Sequence, residues 1–373
     1  MYFRDLGAQY LALKNEIDAG IKEVINSSAF ILGKPVTELE NQLAEYVGRK
    51  HCVTCANGTD ALQLALMILE VGKDDAVFTS DFTYFASAGA ASILGATPVL
   101  VDIDINTFNI SPEALEDAIK RTIADGKLTP KVIIPVDLFG QPADYTKILP
   151  IAQKYGLKVL EDGAQGFGGN INGKMACSFG DISTTSFFPA KPLGCYGDGG
   201  AIFTDDDEVD ARLRSLRAQG KSPVDKYDNR EIGMNSRLDT IQAAILLPKL
   251  RAFADYELAA VNLATNQYTE RLNEKFVTPT VLKGFYSSWA QYTVLLDSRS
   301  QRDAMQIKLK ENGIPSMVYY PKGLHQQDAY RWMNLPDSLY PNTMEATNRV
   351  LSLPMHPYLT EEMIDMTVNV LLK

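Results

Sequence analysis

The chain has 373 residues, 46% of them hydrophobic, enough to bury more than one core, so two domains are expected. Its 46 acidic against 36 basic side chains leave a formal charge of −10, which argues against a nucleic-acid or anionic-membrane surface but allows a local basic pocket for a small anion. No uninterrupted apolar run reaches bilayer length and the opening MYFRDLGAQY lacks signal-peptide order, so a cytoplasmic protein is expected.

Thr37-x-x-Glu40 reads as a capping box that opens a helix to about Val47. Residues 51–55 read as a short strand feeding a helix over 60–70. Cys52 and Cys55 make a CxxC there, but positions i and i+3 of a strand face opposite ways. With no second CxxC and only His51, His325 and His356 scattered along the chain, buried free thiols are expected and no metal. Further strands are predicted at 76–79, 98–102, 131–137 and 158–161, with helices between them, one capped by Ser111 with Pro112 in its first turn. This alternation implies an α/β fold, a mainly parallel sheet covered by helices on both faces.

Residues 185–201, TSFFPAKPLGCYGDGGA, are too rich in proline and glycine for a helix or central strand and read as a shaped loop. Residues 238–250 are apolar on more than one helical face, which predicts deep burial or contact with a second subunit. A long helix to about Lys275, strands at 290–296 and 316–320, and helices at 302–312 and 361–371 suit a smaller α+β unit. The expected division is 1–250, with an N-terminal helical segment, and 251–373.

Lys191 lies inside the shaped loop. By position alone it reads as a solvated surface lysine. Three distant segments change that reading. Asn57-Gly58-Thr59 joins a strand to a helix, an anion site made of free amides, although Thr59 or Asp60 alone would be only an N-cap. Glu161 and Asp162 end a strand, where ligands of parallel sheets bind, and one of the two should face the crevice. Asp81-Phe82-Thr83-Tyr84 follows another strand and puts an aromatic ring at the same edge. Anion cradle, carboxylate, stacking ring and amine are the set that pyridoxal phosphate requires. The glycines of 197–200 read as room for cofactor and sugar to approach.

On ANGTDAL (56–62), FTYFAS (82–87), EDGAQ (161–165), SFFPAKPLGCYGDGGA (186–201), NSRLDTIQAA (235–244) and LPMHPYL (353–359), the chain resembles the DegT/DnrJ/EryC1/StrS sugar aminotransferases over essentially its whole length. The resemblance implies a fold type I pyridoxal-phosphate-dependent transferase, with a mainly parallel seven-stranded sheet in the large domain. It implies Lys191 as the Schiff-base lysine and proton shuttle, Asp162 on the pyridinium nitrogen, Gln165 on the phenolic oxygen and Tyr84 stacked on the ring. Gly58, Thr59 and Ser186 would hold the phosphate, joined by Asn235 of a neighbouring subunit in a homodimer. Arg237, Tyr320 and His325 are the implied substrate contacts.

NSRLD followed by QAA most resembles members that aminate carbon 3 of UDP-2-acetamido-2-deoxy-3-oxo-glucuronate in O-antigen pathways, with L-glutamate as donor and 2-oxoglutarate as product. Amination at carbon 4, or of a dTDP-linked deoxy sugar, is the alternative; a non-catalytic sensor or scaffold is more remote, since Lys191 and Asp162 are both retained. A dehydratase of this fold is disfavoured because such relatives carry histidine in place of the lysine. Two departures fall near the substrate: Tyr319 where many relatives have histidine, and Gln219-Gly220 where many have His-Gly.

Overall fold

The computed structural model describes residues 1–225 and 227–373. Helix α1 (Leu6–Ser27) starts at Asp5, whose carboxylate accepts from the Ala8 amide at 2.8 Å. It is followed by α2 (Lys34–Val47), β1 (His51–Cys55) and α3 (Gly58–Ile68). Then β2 (Asp75–Ser80), α4 (Ala86–Ile93), β3 (Thr97–Val101), α5 (Pro112–Asp125), β4 (Thr129–Ile134), α6 (Tyr145–Tyr155) and β5 (Lys158–Asp162) alternate. A small hairpin, β6 (Asn170–Ile171) and β7 (Lys174–Met175), leads into β8 (Ile182–Ser186), β9 (Gly200–Thr204) and α7 (Asp207–Leu216). After α8 (Thr240–Ala252), a π-helical turn at Phe253–Glu257 carries the helix on into α9 (Leu258–Leu272). The remainder holds β10 (Phe285–Tyr286), β11 (Tyr292–Leu295), α10 (Arg299–Glu311), α11 (Pro341–Arg349), β12 (Val350–Leu353) and α12 (Glu361–Leu372).

Seven strands make one sheet in the order β1-β9-β8-β5-β4-β2-β3, with β9 alone antiparallel to its neighbours. Successive strand residues face opposite sides, so Val77, Val132 and Leu160 pack under α3 and α4, while Phe78, Ile133 and Val159 pack under α5 and α6. A separate core around Tyr268, Tyr292, Leu309, Leu353 and Ile364 surrounds the two-stranded β11-β12 sheet. No helix among the described residues is long and apolar enough to cross a membrane.

Several sequence expectations change. Thr37 is inside α2, which is capped by Gly33, because Pro35 and the approach of Gly33 to Thr240 start the helix a turn earlier. Asn57, not Thr59 or Asp60, caps α3, accepting from the Asp60 amide at 2.8 Å. No strand forms over 316–320, where only Met317 pairs, with Ser352. β8 and β9 lie at the ends of the predicted loop; the Ser/Thr-rich ISTTS lacks the apolar run that marks a buried strand. Ten residues of α8 are buried, packed by Leu13 and Ile17 of α1 and by Leu39 and Leu43 of α2. Its apolar character is therefore satisfied within one chain.

Glu40, 4% exposed, does no capping. It accepts from the Thr54 amide and hydroxyl, each at 2.9 Å, and pairs with Arg217 at 2.6 Å and Arg214 at 2.8 Å, tying α2, β1 and α7 together. Burial pushes its carboxyl up, but the two guanidinium groups outweigh burial and hold it below the usual range. A pKa depressed on folding adds stability above the unfolded value, and that stability is lost as acid protonates the group. Removing one partner of a buried pair costs about 3–5 kcal/mol. Urea titration of Glu40→Ala is expected to show a loss of that order at neutral pH, shrinking below about pH 4.

Candidate active site

β1, β5 and β8 end at the same sheet edge. With Asn57 bonded to the Asp60 amide, the amides of Gly58 and Thr59 are left without an acceptor among the described residues, at the positive end of α3. Ser186 closes the other side: a Cβ on Gly58 would lie 2.6 Å from the Ser186 Cβ. Gly200 pairs with Cys55 on one side and Ser186 on the other, and a Cβ there would lie 2.5 Å from the Asn57 carbonyl. Two glycines thus open a cradle of amides and hydroxyls that side chains would fill. A phosphate monoester fits that chemistry.

The two strand-end acids separate as their alternation requires. Glu161 accepts from the Cys177 amide at 2.5 Å, the Phe179 amide at 2.7 Å and the Ser183 hydroxyl at 2.8 Å, which makes it part of the scaffold. Asp162 accepts from the Ser87 hydroxyl at 2.7 Å and the Ala164 amide at 3.2 Å. Burial pushes the Asp162 carboxyl up, while Ser87 and the charge of Lys191 pull it back. Burial lowers the Lys191 ammonium, with Asp162 opposing and Arg4 reinforcing. Each favours the other's charged form, yet among the described residues Lys191 and Asp162 form no ion pair. A flat group with a cationic nitrogen at one end and a carbonyl carbon at the other meets both needs.

Gln165 turns its side-chain oxygen to the Phe139 amide at 2.9 Å and donates to the Tyr320 hydroxyl at 3.2 Å, keeping its second N–H uncommitted. Tyr320 packs edge-on to Phe82 at 5.8 Å and lies within electrostatic reach of Asp162 and Tyr84, and burial raises its phenol. Tyr84, in the loop after β2, is 60% exposed. Gly58, Thr59, Ser186, Asp162, Lys191, Gln165, Tyr320 and Tyr84 therefore gather at one edge. Asn235 is exposed, and among the described residues neither its side chain nor that of Arg237 has a partner.

His325 does not offer the substrate contact expected of it. Both ring nitrogens are taken, Nδ1 by Asp81 at 2.6 Å and Nε2 by Asp337 at 2.9 Å, and the ring stacks on Tyr340 at 4.5 Å. It fixes the loop that carries Tyr84. The glycine run is also explained within the chain: a Cβ on Gly199 would lie 2.9 Å from Leu238, and Gly197 abuts Gln242. Tyr319 packs edge-on to Phe3 at 6.1 Å. The sequence reading gave no role to Ser87, although it stands in the quoted FTYFAS motif, nor to Arg4, which carries no motif at all.

A mainly parallel seven-stranded sheet with an amide cradle and a buried acid, Asp162, at its carboxyl edge is that of a pyridoxal-phosphate-dependent enzyme of fold type I. The chain belongs to the DegT/DnrJ/EryC1/StrS aminotransferase family, whose sequence profile matches residues 12–372. It is 47% identical, over 96% of its length and 95% of the other, to a UDP-2-acetamido-2-deoxy-3-oxo-D-glucuronate aminotransferase of Pseudomonas aeruginosa. It is 41% identical to a UDP-N-acetyl-3-dehydro-alpha-D-glucosamine 3-aminotransferase of Acidithiobacillus ferrooxidans, over 96% of this chain and 94% of that one. A crystal structure of a DegT DnrJ EryC1 StrS aminotransferase from Brucella abortus superposes with a TM-score of 0.96 at 46% identity, covering 100% of this chain and 98% of that one.

Two outcomes follow from the geometry. Gly58→Ala is expected to weaken pyridoxal phosphate binding about tenfold or more, since overpacking at a close contact costs about 1–3 kcal/mol; fluorescence titration of apoprotein reads this. For His325, burial disfavours the charged ring, but Asp81 and Asp337 outweigh it and raise its pKa. A pKa raised on folding gives stability that is full below the unfolded value, near 6.5, and lost as pH rises through the folded one. The stability gap between the unmodified protein and His325→Asn should therefore narrow in urea titrations as pH is raised above that value.

Proposed function

We propose that the protein transfers the amino group of L-glutamate to carbon 3 of UDP-2-acetamido-2-deoxy-3-oxo-D-glucuronate, a step of O-antigen or lipopolysaccharide sugar synthesis, as a cytoplasmic homodimer with shared active sites. The observation that carries this reading is the cradle of unbonded Gly58 and Thr59 amides facing Ser186, open at the same sheet edge at which buried Asp162 ends its strand. The Pseudomonas aeruginosa relative supports the substrate.

Bound pyridoxal phosphate supplies an electron sink for the carbon that loses or gains the amino group. The chain supplies position and proton transfer. Gly58, Thr59 and Ser186 hold the phosphate, and Tyr84 covers one face of the ring. Asp162 keeps the proton on the ring nitrogen, because an opposite charge favours the charged form. Gln165 offers its spare N–H to the phenolic oxygen. The Lys191 Nζ, its ammonium disfavoured by burial, would take the proton from the α-carbon of glutamate, whose nitrogen is retained for the sugar while water supplies the carbonyl oxygen of the departing 2-oxoglutarate; it would later return a proton at the sugar carbon.

Asn235 and Arg237, unengaged in their own chain, suit a phosphate contact and an anionic sugar-nucleotide contact across a dimer, with Tyr320 beside the sugar. Exposed Tyr84, Phe85, Phe188 and Ile232 give such an interface apolar surface.

Borohydride reduction of the holoenzyme followed by peptide mass analysis should place cofactor mass on Lys191, and Lys191→Ala should lose all measurable turnover. Full turnover in that variant would sink the assignment. Comparing the 3-keto UDP-uronate with a 4-keto and a dTDP-linked sugar, glutamate being the donor, separates the alternatives.

A further inference from the structure

Arg4 stands just ahead of α1 and reaches into the Lys191 loop, where it donates to the carbonyl of Pro192 at 3.2 Å. Among the described residues it has no ion-pair partner. Glu257, the carboxylate that favours its charge, is already held by the Gln9 amide at 2.9 Å and 3.0 Å and by the Tyr358 hydroxyl at 2.7 Å. Arg214 and Arg217 differ, both resting on Glu40.

Burial lowers the Arg4 guanidinium to about 10, with Glu257 opposing, so it stays charged at neutral pH. A guanidinium has several donors, and among the described residues only one bond is formed. The residue is not sealed over: it keeps intermediate exposure, and it lies close enough to Lys191 to disfavour that ammonium.

Asp5, the adjacent carboxylate, caps α1 by accepting from the Ala8 amide at 2.8 Å and forms no ion pair with Arg4 among the described residues. His356 is 1% exposed with neither ring nitrogen hydrogen-bonded, and burial holds it neutral, at about 4. Lys249 adds a second cation under the same loop, bonded to the Gly194 carbonyl and set 4.7 Å over the Tyr196 ring. A half-buried guanidinium with donors to spare and no ion-pair partner among the described residues is well matched to a bidentate anion.

We propose that Arg4 is a specificity-determining residue that grips a substrate carboxylate beside Lys191. The inference rests on Lys191 as the reacting lysine. Both proposed substrates bring a carboxylate, the amino donor and the uronate sugar, and a guanidinium fork suits either.

Calorimetric titration of holoenzyme with glutarate and with UDP-glucuronate separates the two sources, with UDP-N-acetylglucosamine as the probe lacking a carboxylate. In Arg4→Gln the affinity for one carboxylate probe should fall about tenfold to a hundredfold, the range of a hydrogen-bonded charge, while UDP-N-acetylglucosamine binds unchanged. A loss confined to glutarate assigns Arg4 to the donor; a loss confined to UDP-glucuronate assigns it to the sugar. Arg4→Lys, which keeps the charge but not the fork, should fall between, and it carries the test if the Gln variant does not fold.

Unchanged affinity for both carboxylate probes, or an equal loss for UDP-N-acetylglucosamine, overturns the inference. If borohydride fails to label Lys191 in the unmodified protein, the functional assignment itself falls. If labelling succeeds and the probes bind the variants normally, only the Arg4 role falls.

Discussion

The site depends on one reversed strand. β9 runs against the rest of the sheet, so it brings its first residue, Gly200, to the edge where its neighbours finish. A side chain there would strike the Asn57 carbonyl, and the turn into α3 could not cross above it. That crossing presents the Gly58 and Thr59 amides to Ser186. A parallel strand in the same place would end at the edge with its last residue, followed by an outgoing loop. The amide cradle is therefore a result of strand direction and two missing Cβ atoms, at Gly58 and Gly200, more than of any polar residue.

Charge placement divides the molecule in two. Behind the sheet, Glu40 and Glu161 are saturated by their own chain: Glu40 by two arginines and Thr54, Glu161 by three amides and a serine. At the carboxyl edge the same chemistry is left incomplete. Asp162 and Lys191 bias each other without pairing, and Arg4 holds a carbonyl in place of a carboxylate. Saturated groups stiffen the frame. Incomplete ones mark where another molecule is to be bound.

Much of this was legible in the sequence because it follows local rules. Strand alternation located β1 through β5 and separated Asp162 from Glu161; proline and glycine density marked the Lys191 loop. What failed depended on tertiary context. Glu40 fits a capping box by spacing, but the arginines that claim it lie more than 170 residues away. Gly197 and Gly199 suggested room for a ligand, whereas Gln242 and Leu238 occupy that room. His325 looked like a free ligand because neither Asp81 nor Asp337 announces a partner by sequence spacing. Arg4 was invisible for the same reason: nothing in MYFRDL says that Pro192 is above it.

The segment ahead of α1 has its partners late in the chain. Phe3 accepts from the Met355 amide, Gln9 bonds Glu257, which in turn holds Tyr358, and Met1 packs into the core formed with α12. On a ribosome that adds roughly 5–20 residues each second, the earliest residues must wait many seconds for the surfaces that anchor them. Until then Arg4 has no Pro192 loop buttressed from below. Assembly of this corner thus follows synthesis of α12, and a nascent chain paused before that helix would hold the seven-stranded sheet while residues 1–4 still lacked their anchors.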